Sequence, residues 1–420
     1  MNRVTAVRLL AVAAWTAAPA AFAQTTEGSD EVRAVVAEML ADAQNRSSLL
    51  AGGTGGHDGA FYLASDDGAF RLNVGGAIQF RYAMGFRDES DSDDFTTGFQ
   101  MARTQVNFAG TVHKDWGYFV EGEFQRDGGS FNMNDAIISY KLNPSWTLLM
   151  GQMKAHVLRE ENINEKFQLT VDRSITNSVF TQGRSQAVAA VYQSDSFQFI
   201  PVFSDGAATE DTDYGTTAPL QSDYAFSGRV NWKFAGDWGA FSDFTSKRGS
   251  AFAGMIGAGA HYQESANTGN PADTDVGVLL YAIDAQLEGD GWNFFATFIG
   301  RQVQLDTLGG DSDFNDFGVV VQGGFMVSDH DELFARYDVV IPDSDRANGA
   351  GTGEADPFNT ITAGWNHYLA GHAAKFTADV QYALDRLADT ALVAPNSQLD
   401  YLGSTEDGEV AIRLQMQLMF

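Results

Sequence analysis

Residues 409–420 read Glu-Val-Ala-Ile-Arg-Leu-Gln-Met-Gln-Leu-Met-Phe, and this stretch decides the fold. Val410, Ile412, Leu414, Met416, Leu418 and Phe420 fall on one parity, and Glu409, Arg413, Gln415 and Gln417 on the other. Side chains alternate faces along a β-strand, so this is a strand with one apolar and one polar face. It ends on an aromatic residue, as expected of the closing strand of an outer-membrane β-barrel.

The same period of two extends back to about residue 70. Leu72, Val74, Ile78, Phe80, Tyr82 and Met84 oppose Arg71, Asn73, Gln79 and Arg81 over 70–86. Tyr224, Phe226, Val230, Trp232 and Phe234 oppose Ser227, Arg229, Asn231 and Lys233. Phe376, Ala378, Val380, Tyr382 and Leu384 oppose Lys375, Thr377, Asp379 and Gln381. Similar stretches cover 98–113, 116–127, 131–143, 146–156, 185–195, 197–206, 250–265, 276–288, 292–305, 314–328, 332–343 and 358–370. The sum is sixteen strands, and the expected fold is all-β, a 16-stranded antiparallel transmembrane barrel occupying 57–420.

The connections alternate in length. Short turns fall at 114–115, 143–145, 195–196, 289–291, 329–331 and 371–373, with long links at 87–97, 157–184, 207–222, 266–275, 306–313, 344–357 and 387–407. Outer-membrane barrels pair short periplasmic turns with long external loops in this way. Two connections depart from the rule: 128–130 is short where a loop is due, and 236–249 is long where a turn is due. The strands reach ten or more residues, as a tilted membrane strand requires and as the short strands of a soluble sandwich do not. Trp116, Trp146, Trp232, Trp292 and Trp365 lie near expected strand ends, where interfacial aromatic girdles form.

Composition narrows the class further. The chain has 420 residues, 44 Gly, 31 Phe, 8 Pro and no Cys, which suits many strands and turns and removes disulfide scaffolds and thiolate chemistry. A formal charge of −29 argues against nucleic acid as a partner. No apolar run of about 18 residues follows the N-terminus, so no helical span is expected. Residues 1–23 read as a secretory signal, with Arg3 and Arg8 ahead of an apolar core and Ala21-Phe22-Ala23 as the cleavage site. In 24–56, Val32, Val35, Val36, Met39, Leu40 and Ala43 repeat at helical spacing. A short periplasmic helix is expected there, followed by the flexible linker Gly52-Gly53-Thr54-Gly55-Gly56.

Acids crowd the long links, at 88–94, at Asp205, Glu210, Asp211 and Asp213, and at Asp311, Asp313 and Asp316. They read as solvated loops, because no ligand-loop spacing with an ordering Gly is present, and no metal or cofactor is expected. The polar parity of the strands is richer in bases, with Arg71, Arg81, Arg103, Lys141, Arg229, Lys233, Arg336, Lys375 and Arg413. Either they pair with acids across strands or they give the lumen a basic surface that attracts anions. The link 157–184 carries Ile163, Phe167, Leu169, Val171, Ile175, Val179 and Phe180, which a solvated loop would not need. It is expected to fold back into the barrel and narrow the pore. The seven His are scattered and no Gly-x-Ser-x-Gly elbow occurs, so an enzyme is not expected.

Gly151-Gln152-Met153-Lys154, one strand ahead of the long charged link, resembles the Gly-Gln-x-Lys-x-Pro-aromatic pattern of the phosphate-selective porin O and P family. Gly183-Arg184 is similar to that family's Gly-Arg before the next strand. His156 and Val157 stand where the family has Pro and an aromatic. The resemblance implies a homotrimeric, diffusion-driven pore in outer-membrane lipid that favours anions such as phosphate. On this reading Lys154, Arg159, Lys166, Arg173 and Arg184, with Arg81, Arg103 and Arg229 on the wall, are the anion contacts. Alternatives are a general, weakly cation-selective porin and a structural barrel tethered to the cell wall through its N-terminal helix. The terminal Phe420 fits recognition by the barrel-assembly machinery.

Overall fold

The computed structural model describes residues 53–420 except 88–94, 127, 213–221, 266–274, 308–309, 350, 352, 394–399 and 404–406. The signal segment and the helix expected within 24–56 lie outside the described residues, as does the acidic run 88–94. Gly53–His57, which overlaps the expected linker 52–56, is a strand, β1, that pairs with β2 (Phe61–Ser65).

Sixteen further strands close into an antiparallel barrel. They are β3 (Arg71–Phe86), β4 (Phe95–Val112), β5 (Trp116–Phe124), β6 (Phe131–Asn143), β7 (Trp146–Lys154), β8 (Arg184–Gln193), β9 (Phe197–Ser204) and β10 (Tyr224–Ala235). The second half comprises β11 (Ala253–Ser265), β12 (Asp275–Gly289), β13 (Trp292–Thr307), β14 (Gly310–Met326), β15 (Asp331–Ile341), β16 (Phe358–Tyr368), β17 (Ala374–Ala383) and β18 (Val410–Met419). Each pairs with its sequence neighbour, and β18 closes on β3 from Val410↔Phe86 to Met419↔Ala77. All sixteen expected strands are present, with ends shifted by a few residues. The largest change is at 306–313, where the expected link is mostly strand, because β13 and β14 stay paired to Thr307↔Gly310.

The closing strand behaves as its alternation requires. Phe420 extends the ladder, with its carbonyl accepting from Gly76 N at 2.9 Å and its amide donating to Gly76 O at 3.1 Å. Beyond it, β2 takes over the same edge of β3 at Phe61↔Val74. A side chain at Gly76 would strike both the Phe420 ring and the Gln105 carbonyl, so the seam is closed by backbone contact.

Burial is inverted relative to a water-soluble domain. Phe226 and Trp232 are each 54% exposed, whereas Arg81 and Arg413 are 0% exposed. Exposed aromatics on one parity and buried charges on the other are the signature of a wall between lipid and lumen.

The two irregular connections have separate explanations. The 125–130 link is simply a short hairpin, with Gln125 N donating to Ser130 O at 2.8 Å and positive φ at Gly128 and Gly129. The long turn after β10 folds inward: Phe241 and Phe244 are buried, and the Phe244 ring lies 4.8 Å from that of Phe295 on β13.

Candidate functional site

The long link after β7 fills much of the lumen, as its apolar residues predict. It carries two short helices, α1 (Arg159–Asn162) and α2 (Ile175–Phe180), the second capped by the Ser174 hydroxyl accepting from Asn177 N. On the external side Val157, Leu158, Ile175 and Phe180 join a core with Leu280, Ile299, Val340 and Tyr401. Towards the other end Ile163 and Leu169 pack with Phe244, Phe295 and Phe334, so the inserted loop and the inward turn share one core. Each such side chain contributes roughly 1.5–3 kcal/mol when fully buried. The wall makes room at glycines: a Cβ at Gly259 would lie 2.4 Å from the Val157 carbonyl, and one at Gly318 would lie 2.5 Å from Thr176.

Ion pairs pin the loop to the polar wall, and Asp172 is the main anchor. It receives Arg81 at 2.7 Å, Arg103 at 2.9 Å and Arg413 at 3.7 Å, from three different strands. Arg81 also reaches Asp400 at 2.7 Å and Gln415, and Arg413 reaches Asp379 at 2.8 Å. Lys166 meets Glu121 at 2.9 Å. Arg336 reaches the Thr170 hydroxyl and the Asp172 carbonyl, with Glu160 3.7 Å away. Arg229 forms a two-point pair with Asp284 and donates to the Val157 carbonyl at 2.9 Å.

The eight candidate bases therefore separate by environment. Arg81, Arg103 and Arg229 are buried under the loop, and Lys166, on the loop, is buried against the wall. Lys154, Arg159, Arg173 and Arg184 are partly exposed. Three of these gather at one edge of the loop: Lys154 lies 3.2 Å from Glu161, Arg173 lies 3.0 Å from Glu165, and Arg184 grips Asp135 at 3.1 Å. Burial raises the Glu161 carboxyl, but Arg173 and Lys154 more than offset it and hold it at about 2. Arg159 stands apart at the inward turn, donating to Gln286 Oε1 and to the Phe241 carbonyl. It makes no ion pair among the described residues. Burial and the nearby Arg229 lower it to about 10, so it remains charged at neutral pH.

Sequence reasoning missed the acids that hold these bases, Asp172 foremost, because its three partners converge only when the barrel closes. It also misplaced Asp316. Expected in a solvated cluster, that residue is buried on β14 and takes Arg301 at 2.9 Å and Arg346 at 2.7 Å. Among the described residues no group of three or more His, Cys, Asp or Glu is placed to hold a metal.

A barrel with a lipid-facing aromatic exterior and a lumen narrowed by the loop after its fifth strand is a porin architecture, and the sequence profile of the phosphate-selective porin O and P family matches residues 71–420. The chain belongs to that family. This porin is an outer-membrane β-barrel. Similar solved structures include an anion-selective porin from Comamonas acidovorans, at TM-score 0.55 and 13% identity, covering 84% of this porin and 100% of that chain. The outer-membrane channel DcaP of Acinetobacter baumannii aligns at TM-score 0.55 and 15% identity, covering 84% and 99%. OmpT of Vibrio cholerae, in a trimer form, aligns at TM-score 0.52 and 14% identity, covering 84% and 100%. At these identities the likeness is one of fold. No curated protein matches this porin significantly.

Proposed function

We propose that this porin passes small hydrophilic solutes by diffusion, favours anions such as phosphate, and works as a homotrimer. The observation that carries the anion preference is the grouping of Lys154, Arg173 and Arg184 along the partly exposed edge of the inserted loop. Arg159 adds a charged guanidinium that makes no ion pair among the described residues, although Asp284, Glu288 and Asp243 lie near enough to act on its charge. Lysine and arginine can replace part of an anion's hydration as charged donors, and several weak sites in series allow release. The buried Arg81, Arg103 and Arg229 act as fixed wall charges, and the loop's own buried Lys166 pairs with Glu121 of the wall, so that together they hold the loop in place. The anion-selective neighbour supports the preference, and the trimeric neighbour supports the assembly.

A second reading, a weakly cation-selective general porin, is favoured by Glu161, Glu165 and Asp135, each matched to one of the three bases, and by the chain's charge of −29. Reversal potentials in a planar bilayer under a salt gradient separate the two. The proposal requires anion selectivity in the wild type and its reduction in the double variant Lys154→Gln, Arg173→Gln. Cation selectivity in the wild type, or no change in the variant, refutes it. Cross-linking in outer-membrane vesicles tests the trimer.

A further inference from the structure

One part of the lumen wall is not polar. Ile200 and Val202 of β9 pair with Arg229 and Ser227 and so share the inner parity of β10. Ala189 opposes Val202, and Leu149 opposes Ala189, carrying the same parity across β8 and β7. Together with Met153 and the neighbouring Ile137 and Val191 these side chains form one aliphatic cluster. No residue of the inserted loop belongs to it, and Ile137, Leu149 and Val191 remain partly exposed. A lumen that carried only hydrated ions would not need this strip, since pore interiors of such barrels are polar.

The strip also has a direction. From Leu149 to Lys154 it runs about 17 Å along β7 at strand rise. It stops at the register pair Lys154↔Arg184, immediately after Met153↔Ser185. That pair is of the other parity, but Lys154 turns to Glu161 of the inserted loop and Arg184 to Asp135, so this end is cationic, tempered by the two acids, and the length behind it is aliphatic. We propose that the solutes this pore favours are organic anions with a hydrocarbon part, the head group at Lys154, Arg173 and Arg184 and the tail along the partly exposed side chains of the strip, Ile137 and then Leu149, with the buried Met153 and Ile200 backing them. This rests on the anion reading above and names the solute class for it. A fully hydrated inorganic anion would use only the cationic end.

Block of single-channel chloride current by straight-chain carboxylates from acetate to dodecanoate tests this. Alkylammonium ions of the same lengths and inorganic phosphate form the comparison arms. The half-blocking concentration of the carboxylates falls about two- to four-fold per methylene, four-fold being the limit for a fully buried CH₂. Ile137→Asn and Leu149→Asn flatten that dependence, with heat-modifiable migration confirming a folded barrel. A flat carboxylate series in an anion-selective pore overturns this proposal and leaves the channel reading intact. Chain-length dependence for alkylammonium ions alone overturns both. A slope unchanged in the two variants places binding elsewhere and overturns the assignment of the strip.

Discussion

Replacing Asp172 removes a carboxylate shared by three arginines on β3, β4 and β18. Its oxygens lie 2.7 Å from Arg81, 2.9 Å from Arg103 and 3.7 Å from Arg413, and its side chain is 4% exposed. Breaking a buried pair by deleting one partner costs about 3–5 kcal/mol, because the remaining charge is left uncompensated. In Asp172→Ala, Arg81 keeps Asp400 and Arg413 keeps Asp379, so those two retain carboxylates. Arg103 keeps Gln79 Oε1 at 2.9 Å, a neutral acceptor, and most of the penalty falls there. The inserted loop then loses its main anchor. The expected result is a lower thermal transition of the folded band, larger and noisier single-channel conductance, and stronger anion selectivity from the unmasked guanidiniums. Asp172→Asn keeps the volume and isolates the charge effect, so it must shift selectivity in the same direction. Unchanged conductance, noise and reversal potential in both variants would refute the anchoring argument.

Acid should undock the loop from the same contacts. Burial raises Asp172, but Arg81, Arg103 and Arg413 outweigh it and leave the carboxyl well below the usual range, and Glu161 is held at about 2. Lowered folded-state values stabilise docking fully above the unfolded values, roughly 4 to 4.5, and that contribution is lost as pH falls towards 2. Conductance histograms should therefore stay constant from pH 7 to about 5 and broaden below 4; broadening already at pH 6 would contradict this. Phe244→Ala should cost about 3–5 kcal/mol by emptying the core between loop and turn, read as an earlier heat-modifiable transition. Gly76→Val, which collides with the Gln105 carbonyl and the Phe420 ring, and deletion of Phe420 should each reduce assembled barrel in the outer membrane. Normal yield of either would count against seam closure by Phe420.

The strands were legible because each carries its own period-two pattern, and a membrane-facing parity is strict. The loop insertion was legible for a related reason: Ile163, Leu169 and Phe180 make sense only if buried. Partner choice was not legible. Asp172 and Arg173 looked like two balancing charges in one link, yet Asp172 pairs with the wall while Arg173 pairs with Glu161 and Glu165. The inward turn was visible only as an over-long connection, its two buried phenylalanines giving no periodic signal. The aliphatic strip was hidden for the opposite reason. Over 146–154 both parities of β7 are largely apolar, so alternation cannot mark which one faces the lumen.

The edge shared by β18 and β2 has a topological consequence. Phe420 faces Gly76 and Phe61 faces Val74, both strands running the same way, so only the position opposite Gly75 separates the last residue from the start of β2. A one-residue splice from Phe420 to Phe61 would turn two strands into one continuous strand and the barrel chain into a ring. Such a ring could be reopened at a link on the opposite rim, giving a circular permutant whose wall, lumen and inserted loop are those of the linear protein.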